Sequence, residues 1–561
     1  MRYSELCEIY EALSATTKRL EKISIIAKFL KHLSFADKDV LYLLLGNIYP
    51  AYDEKQIGIS NQGVIKAISK ISGVNENEIV NEWKKIGDIG EVCEKLIGHK
   101  KQSALVGGKL SVEKVVNDLR KLTDFEGQGT VRKKIDLIAG LLSESTPIES
   151  KYIVRTLISD LRVGIHDSTI RDAIAEAFFP DDKKVAGGKI QSAYDLHPDM
   201  AFIFENAKKG MKEIEKIGLK VGAPIKAMLA QKVDSIAEGF EVVGRPAIFE
   251  YKYDGFRLII NKSPQGIKLF TRRLDDVSKQ FPDIVEYVKK YAHGDNFIID
   301  AEAVGYEPKT KKYLPFQSIS QRIKRKYDIE KMTEDFPIEL NVFDILFYNG
   351  ENLINHLFKE RTKLLRKIID KHPYKIICAK QIITSNENEA KKFFEQALKD
   401  NQEGVMIKNL NGIYKPGSRV GYMVKLKPEH RDLDLVIVGA EYGQGKRAGW
   451  LSSFVLACRD KDEFLEVGRV GTGIKEKSEG VSFDELTKLL KPLIIESEGK
   501  NVKVKPKIIV SVIYQEIQVS PTYSSGYALR FPRVVTLRQD KPLDEINSLD
   551  DIEKEYAKQK R

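Results

Sequence analysis

The run from Pro246 to Arg257 (Pro-Ala-Ile-Phe-Glu-Tyr-Lys-Tyr-Asp-Gly-Phe-Arg) places a carboxylate, Glu250, two positions before an amine, Lys252, and ends in Asp254-Gly255. Its aromatic and aliphatic residues predict a strand running into a tight turn. Alternate residues of a strand share a face, so Ile248, Glu250 and Lys252 point one way and Phe249, Tyr251 and Tyr253 the other. An amine and a carboxylate side by side at the mouth of a turn read as a reactive site. The same two residue types also make an ordinary surface ion pair, so the case depends on what else the chain supplies. Several runs downstream have the same character. Asp300 and Glu302 share a strand face, as do Lys425 and Lys427, and Glu403 heads Gly404-Val405-Met406-Ile407. Arg272 and Arg273 follow the strand Ile267 to Phe270.

The elements that must hold these groups differ along the chain. Residues 1 to about 215 read as helical, with few prolines and apolar residues at helical spacing. Ile153, Val154, Leu157, Ile158 and Leu161 form one stripe with Gly164 as its stop. Asp167 or Ser168 then caps a helix carrying Ile170, Ala173, Ile174 and Ala177. That turn, and the run Gly127-Gln128-Gly129-Thr130-Val131-Arg132-Lys133-Lys134 opening a helix to Leu142, could offer backbone N–H groups and cations to phosphates without reading bases. After Val221-Gly222-Ala223-Pro224 strands alternate with helices, as at Phe297 to Val304, Leu340 to Phe347 and Gly404 to Ile407. Beyond about Asp432 the chain is strand-rich, at Leu435 to Ala440, Ser453 to Ala457 and Ile508 to Ile513. Gly443, Gly445 and Gly449 punctuate this part, which suits a small barrel, and a charged helix from Leu543 to Lys558 closes the chain.

A chain of 561 residues exceeds a single core. Its net charge of +11 favours a polyanionic partner. No apolar run approaches the roughly 20 residues of a membrane span, and the first residues lack a signal-peptide core, so the expected location is the cytoplasm. Cys7, Cys93, Cys378 and Cys458 lie far apart and suit reduced thiols rather than a disulfide framework or zinc site. The abundance of lysine, glutamate and isoleucine hints at a hot habitat.

Taken in order, the motifs resemble the covalent nucleotidyltransferase superfamily, and within it the ATP-dependent DNA ligases of the archaeal and eukaryotic replicative type. They are Lys252-Tyr-Asp-Gly-Phe-Arg257, Thr271-Arg272-Arg273, Asp300-Ala-Glu302-Ala-Val-Gly305, Phe343-Asp-Ile-Leu346, Glu403-Gly-Val-Met-Ile-Lys408, Lys425-Leu-Lys427 and Ala528-Leu-Arg530-Phe-Pro-Arg533. The resemblance covers nearly the whole chain. It implies an all-α DNA-binding domain at 1–216, an α+β adenylation domain with antiparallel sheets at 217–430, and an OB-fold β-barrel with a C-terminal helix at 431–561. It implies a monomer that seals nicks in duplex DNA during replication, recombination and repair, using ATP and magnesium, or manganese in its place.

Residue roles follow from the resemblance. Lys252 is the nucleophile that takes AMP from ATP. A lysine attacks only after losing its proton, which nearby cations and a metal favour. Glu250 accepts from the adenine amino group and Phe343 stacks on the base. Arg257 and Glu302 match positions around the ribose. Arg272, Arg419, Lys425 and Lys427 match phosphate-side cations that stabilise charge in an in-line transition state. Glu302 and Glu403, with Asp254, are the expected acids around magnesium. Arg530 and Arg533 would meet the β- and γ-phosphates from a separate domain that closes for adenylation. Thr271 stands where serine is common, and Met423 where tryptophan is common. Gln102 and Leu105 lie near the sliding-clamp box of archaeal relatives, but Val106 and Gly107 replace its paired aromatics. RNA ligases and mRNA-capping enzymes share the lysine chemistry; the long helical region before Lys252 argues against both. The cysteine spacing disfavours an NAD-dependent ligase. A non-catalytic nucleic-acid scaffold remains the reading outside enzymology.

Overall fold

A computed structural model describes the chain except residues 51, 54, 56, 99–109, 126–128, 315, 317–318, 320–321, 324–327, 429–431, 444–446, 448, 462, 477–480 and 560–561. The clamp-like segment around Gln102, the glycines Gly127 and Gly445, and Gln128 lie outside the described residues. The rest clusters into two units, Met1–Ala397 with Gly404–Leu426 and Leu398–Glu403 with Lys427–Arg561.

The first unit opens with helices through Met211–Glu215. They share one core of residues such as Tyr3, Leu6, Tyr10, Leu41, Ile153 and Phe204. Two local expectations are corrected. The stripe at Ile153 belongs to a helix Pro147–Leu157, which stops well before Gly164. Ser159 and Arg162 adopt left-handed φ values of 54° and 59°, which no continuing helix accepts. The next helix, Asp167–Phe178, has His166 as its N-cap in place of Asp167 or Ser168. The Thr169 hydroxyl accepts from the His166 N–H at 3.4 Å.

Two sheets follow. The first contains β1 (Leu229–Val233), β2 (Ala247–Lys252), β9 (Gln381–Thr384), β10 (Gly404–Asn409) and β11 (Arg419–Leu426), in the order β1-β11-β10-β2-β9. The second contains β3 (Phe256–Ser263), β4 (Gly266–Thr271), β5 (Phe297–Gly305), β6 (Ile338–Tyr348) and β7 (Glu351–Asn352), in the order β4-β3-β5-β6-β7. A strand β8 (Ile376–Cys378) joins β6 in the second sheet. The sheets are mixed rather than antiparallel throughout, because β1 runs parallel to β11 and β8 parallel to β6. The helix Phe358–Ile368 supplies the crossover that the second parallel pair requires. One face of the first sheet buries Phe249, Tyr251, Val405, Ile407 and Val424. The second sheet buries Leu258, Ile260, Ile299, Ala301, Leu340 and Val342 on its outer face. A smaller cluster draws from both sheets, with Met228, Tyr414 and Met423 beside Ile259, Phe270, Ile298 and Leu346.

The second unit contains β12 (Leu433–Tyr442), β13 (Leu451–Asp460), β14 (Glu463–Val470), β15 (Ile494–Glu498), β16 (Asn501–Val504), β17 (Ile509–Ile513) and β20 (Arg533–Leu537) in one sheet, and β18 (Glu516–Val519) with β19 (Tyr527–Arg530) in a hairpin. Among the described residues this is a half-barrel, whose pairings do not close into a ring. The final helix starts at Leu549, later than the charge pattern predicts, because a 3-10 turn at Leu543–Glu545 and Ser548 intervene. The Ser548 hydroxyl accepts from the Asp551 N–H at 3.2 Å.

All four cysteines are free thiols, and Cys7, Cys93 and Cys458 are buried. Burial pushes Cys93 and Cys458 up to about 12, which keeps them protonated and unreactive.

Candidate active site

Register collects the expected residues onto one face of the first sheet. Lys252 pairs with Gly404, Glu250 with Met406, and Ile248 with Lys408. Met406 in turn pairs with Lys425, and Lys408 with Met423. Because side chains alternate along strands, Glu250, Lys252, Lys408, Met423 and Lys425 all lie on the face opposite the Phe249 core. Lys252 is the last residue of β2 and is half-buried. Arg419 starts β11 and is exposed.

The turn after Lys252 carries the chain into the second sheet. It has no room for a side chain at Gly255, where a Cβ would lie 2.3 Å from the Ala303 carbonyl oxygen and 3.0 Å from Glu302 Cγ. Gly255→Ala is therefore expected to force β3 away from β5, destabilising the protein by about 1–3 kcal/mol and lowering AMP transfer. Urea unfolding and labelling with α-labelled ATP check both. An alanine variant with unchanged midpoint and labelling would contradict the crowding.

On β3, Arg257 pairs in register with Glu302, and Ile259 with Asp300. The Arg257 guanidinium donates to both carboxylate oxygens of Asp300, at 2.8 and 2.5 Å, and to the Met228 carbonyl at 2.7 Å. Asp300 is wholly buried. The Tyr414 hydroxyl donates to it at 2.9 Å. Burial works against the charge on Arg257, but Asp300 outweighs that and holds its pKa above the ordinary arginine value. Arg257 is thus fixed by Asp300, while Glu302, on the same face of β5, is only half-buried.

Phe343 reaches the site through an irregularity that sequence does not reveal. Asp300 pairs with Asp344 but Ala301 with Val342, so Phe343 is an extra residue on β6. Such a bulge re-aims a side chain out of the strand's alternation. Its ring centroid lies 5.4 Å from the Arg257 guanidinium and 4.8 Å from the Lys408 ammonium, so two cations stand near it. Asp344 turns the other way, into a double hydrogen bond from Arg361 at 2.8 and 3.0 Å.

Lys408 is the residue that sequence reasoning passed over, although its place closing the Glu403 motif, with the same strand parity as Met406, was the available signal. It forms a buried ion pair with one oxygen of Glu250. Burial raises the Glu250 pKa, with the Lys408 cation opposing it.

Arg272 and Arg273 are exposed after β4. The Thr271 hydroxyl builds their turn, accepting from the Arg273 and Asp275 N–H groups at 3.2 and 3.3 Å and donating to the Asp275 carboxylate at 3.0 Å. Leu274 takes a φ of 77° within it. The hydroxyl that stands in for serine there is structurally used.

In the second unit Lys427 pairs with Glu403 at 2.5 Å. Arg530 binds Glu516 at 2.7 Å and lies 5.2 Å from the Phe531 ring. Arg533 begins β20, and Phe531 between them is 69% exposed with a φ of 49°.

Among the described residues no three Asp, Glu, His or Cys side chains converge as a metal cage. Asp254 and Glu302 flank the Gly255 turn and offer oxygen donors. That donor set fits a divalent cation that keeps most of its waters and takes further ligands from phosphate.

The sheet face that carries Lys252 and Lys425, with the buried Glu250–Lys408 pair beside it, has the chemistry of a nucleotide-handling enzyme. Comparison with known families makes this specific. The chain matches the models described as DNA ligase N terminus over residues 2–175, ATP dependent DNA ligase domain over 227–427, and ATP dependent DNA ligase C terminal region over 447–541. It is 46% identical to a DNA ligase of Nanoarchaeum equitans over 566 aligned positions, covering 100% of this chain and 99% of that one. It is 39% identical to a DNA ligase of Thermococcus fumicolans, again with 100% and 99% covered. A solved structure described as "Pmar-Lig_PreS3" shares the fold, with a TM-score of 0.59 at 18% identity over 95% of this chain and 99% of that one. The chain belongs to the ATP-dependent DNA ligase family and is an enzyme of that class.

Proposed function

We propose that the protein seals nicks in duplex DNA through an AMP bound covalently to Lys252. The observation that carries this reading is the register that puts Lys252, Glu250 and Lys425 on one face of the first sheet, with Phe343 bulged out of the second. The Lys252 amine attacks the α-phosphorus of ATP, forming an N–P bond as the P–O bond to pyrophosphate breaks. The AMP then passes to the 5′-phosphate at the nick, and the 3′-hydroxyl displaces it to close the strand. Lys425, Lys427, Arg272 and Arg419 hold phosphate oxygens as charge develops. Glu250 receives the adenine amino group, Phe343 stacks on the base, and Arg257 and Glu302 sit by the ribose. A magnesium ion, held by Asp254 and Glu302 with Glu403 as a further acid, would supply charge neutralisation at the phosphates. Manganese is the alternative ion.

In this reading residues 1–216 bind DNA, 217–430 form the adenylation domain and 431–561 an OB-fold whose Arg530 and Arg533 reach the outer phosphates. The enzyme works as a monomer in the cytoplasm, in replication, recombination and repair. A sliding clamp is a further candidate partner, through the segment near Gln102, with an ordinary loop as the alternative. The model family and the net charge of +11 support a nucleic-acid substrate.

Nick sealing tested side by side with ATP, GTP and NAD is expected to proceed with ATP, on DNA in preference to RNA nicks. Affinity for nicked duplex should fall steeply as salt rises, since phosphate contacts dominate. Sealing driven by NAD alone, or affinity indifferent to salt, would refute the proposal.

A further inference from the structure

Lys408 and Glu250 are 5% and 2% exposed, and they bind each other across adjacent strands. The ion pair uses only one carboxylate oxygen of Glu250. The other, Oε1, is buried and accepts no hydrogen bond. A buried acceptor without a donor is costly, so this oxygen marks a place where a donor from elsewhere gains energy. Lys408 has little freedom to swing away. Its ammonium lies 4.8 Å from the Phe343 ring and 4.5 Å from the Phe358 ring. The same lysine thus touches both the carboxylate and the ring assigned to the base.

We propose that Lys408 is a specificity-determining positioning residue: by pinning one oxygen of Glu250 it leaves the other able only to accept, so the site takes a purine that donates from its six-position amino group and rejects one bearing a six-oxo group. The inference rests on the reading that Glu250 faces the purine. The physical logic is that of a buried polar site that rejects ligands unable to complete its hydrogen bonds. Without the cation, a carboxyl at this depth takes up a proton more readily. Its oxygen then becomes a donor, and a six-oxo purine becomes acceptable. The other groups facing Glu250 do not replace Lys408. Asp344 opposes the charge and is itself occupied by Arg361, while Arg366 favours the charge more weakly than Lys408. Tyr253 and Cys378 feel the Glu250 charge, but burial pushes both upward, Cys378 to about 11, and keeps them neutral.

The test measures equilibrium binding of ATP and GTP by calorimetry on full-length protein carrying Lys252→Ala, so that no covalent step intervenes, from pH 6 to pH 8.5. With Lys408 intact the preference for ATP should hold across the range. With Lys408→Met it should fall by roughly tenfold or more at pH 6 and recover as pH rises and Glu250 ionises. A protonated-carboxyl infrared band should appear in step with that fall. Lys408→Gln is the second neutral variant should the methionine variant not fold, and Lys408→Arg should restore the preference. If Glu250→Gln leaves the ATP preference untouched, Glu250 does not face the purine and both readings fail. If Glu250→Gln alters it while the folded neutral Lys408 variants match the parent at every pH, only the role of Lys408 is overturned.

Discussion

Protein carrying Lys252→Ala, mixed with α-labelled ATP and magnesium, should acquire no covalent label, and its sealing of nicked duplex from ATP should be lost. No other side chain at the head of the site can substitute. Glu250 is buried and acidic, Lys408 is held in an ion pair between two rings, and Lys425 lies on a strand beyond β10. The loss should be of chemistry rather than of fold, because Lys252 is half-buried at the end of β2 and its removal opens no core cavity. The variant should therefore unfold at the parent's denaturant midpoint. Intact-mass analysis reads the adenylate directly. A variant that still gains the mass of AMP would move the nucleophile elsewhere and undo the reaction scheme.

The second large effect concerns Asp300. Asp300→Ala should cost about 3–5 kcal/mol of stability, because removing one partner of a buried pair leaves an uncompensated charge. The stranded group would be Arg257, whose guanidinium now gives two hydrogen bonds to Asp300 and one to the Met228 carbonyl. Tyr414 would lose its acceptor at the same stroke. Asp300→Asn should be milder, since an amide oxygen still accepts one hydrogen bond. Denaturant midpoints for the two variants test the order, and an alanine variant as stable as the asparagine one would show that water or a shift of Arg257 fills the gap. Both should weaken ATP binding, since Arg257 is placed by this contact.

Much of this site was legible because strand alternation is a short-range rule. Glu250 and Lys252, and Asp300 and Glu302, fall on common faces by spacing alone, whereas Lys427, read as sharing a strand face with Lys425, lies one residue past the end of β11 at Leu426. What spacing cannot carry is which strands become neighbours. The pairing of β2 with β10 joins residues more than 150 positions apart, and it alone brings Lys408 to Glu250. The bulge at Phe343 is equally hidden, because one extra residue leaves no mark in an apolar run. Arg257 reads from sequence as a ligand-facing cation, and its commitment to Asp300 appears only with the β3–β5 register. In the helical region the errors were at ends. The stripe through Leu161 is real in composition, but left-handed residues at Ser159 and Arg162 end the helix at Leu157. Parallel edges escaped notice because a parallel pair depends on a crossover, not on the strands' own residues.

The seam between the sheets bears on how the site adjusts. β2 ends at Lys252 in one sheet and β3 begins at Phe256 in the other, with Gly255 pressed against the Ala303 carbonyl. The amine and the Arg257 guanidinium are therefore carried by different sheets, joined at a turn where nothing larger than hydrogen fits. The distance between Lys252 and Arg257 is thus set by how the two sheets pack, and by the hydrogen bond from Arg257 to the Met228 carbonyl beside β1, rather than by the rotamer of either side chain alone.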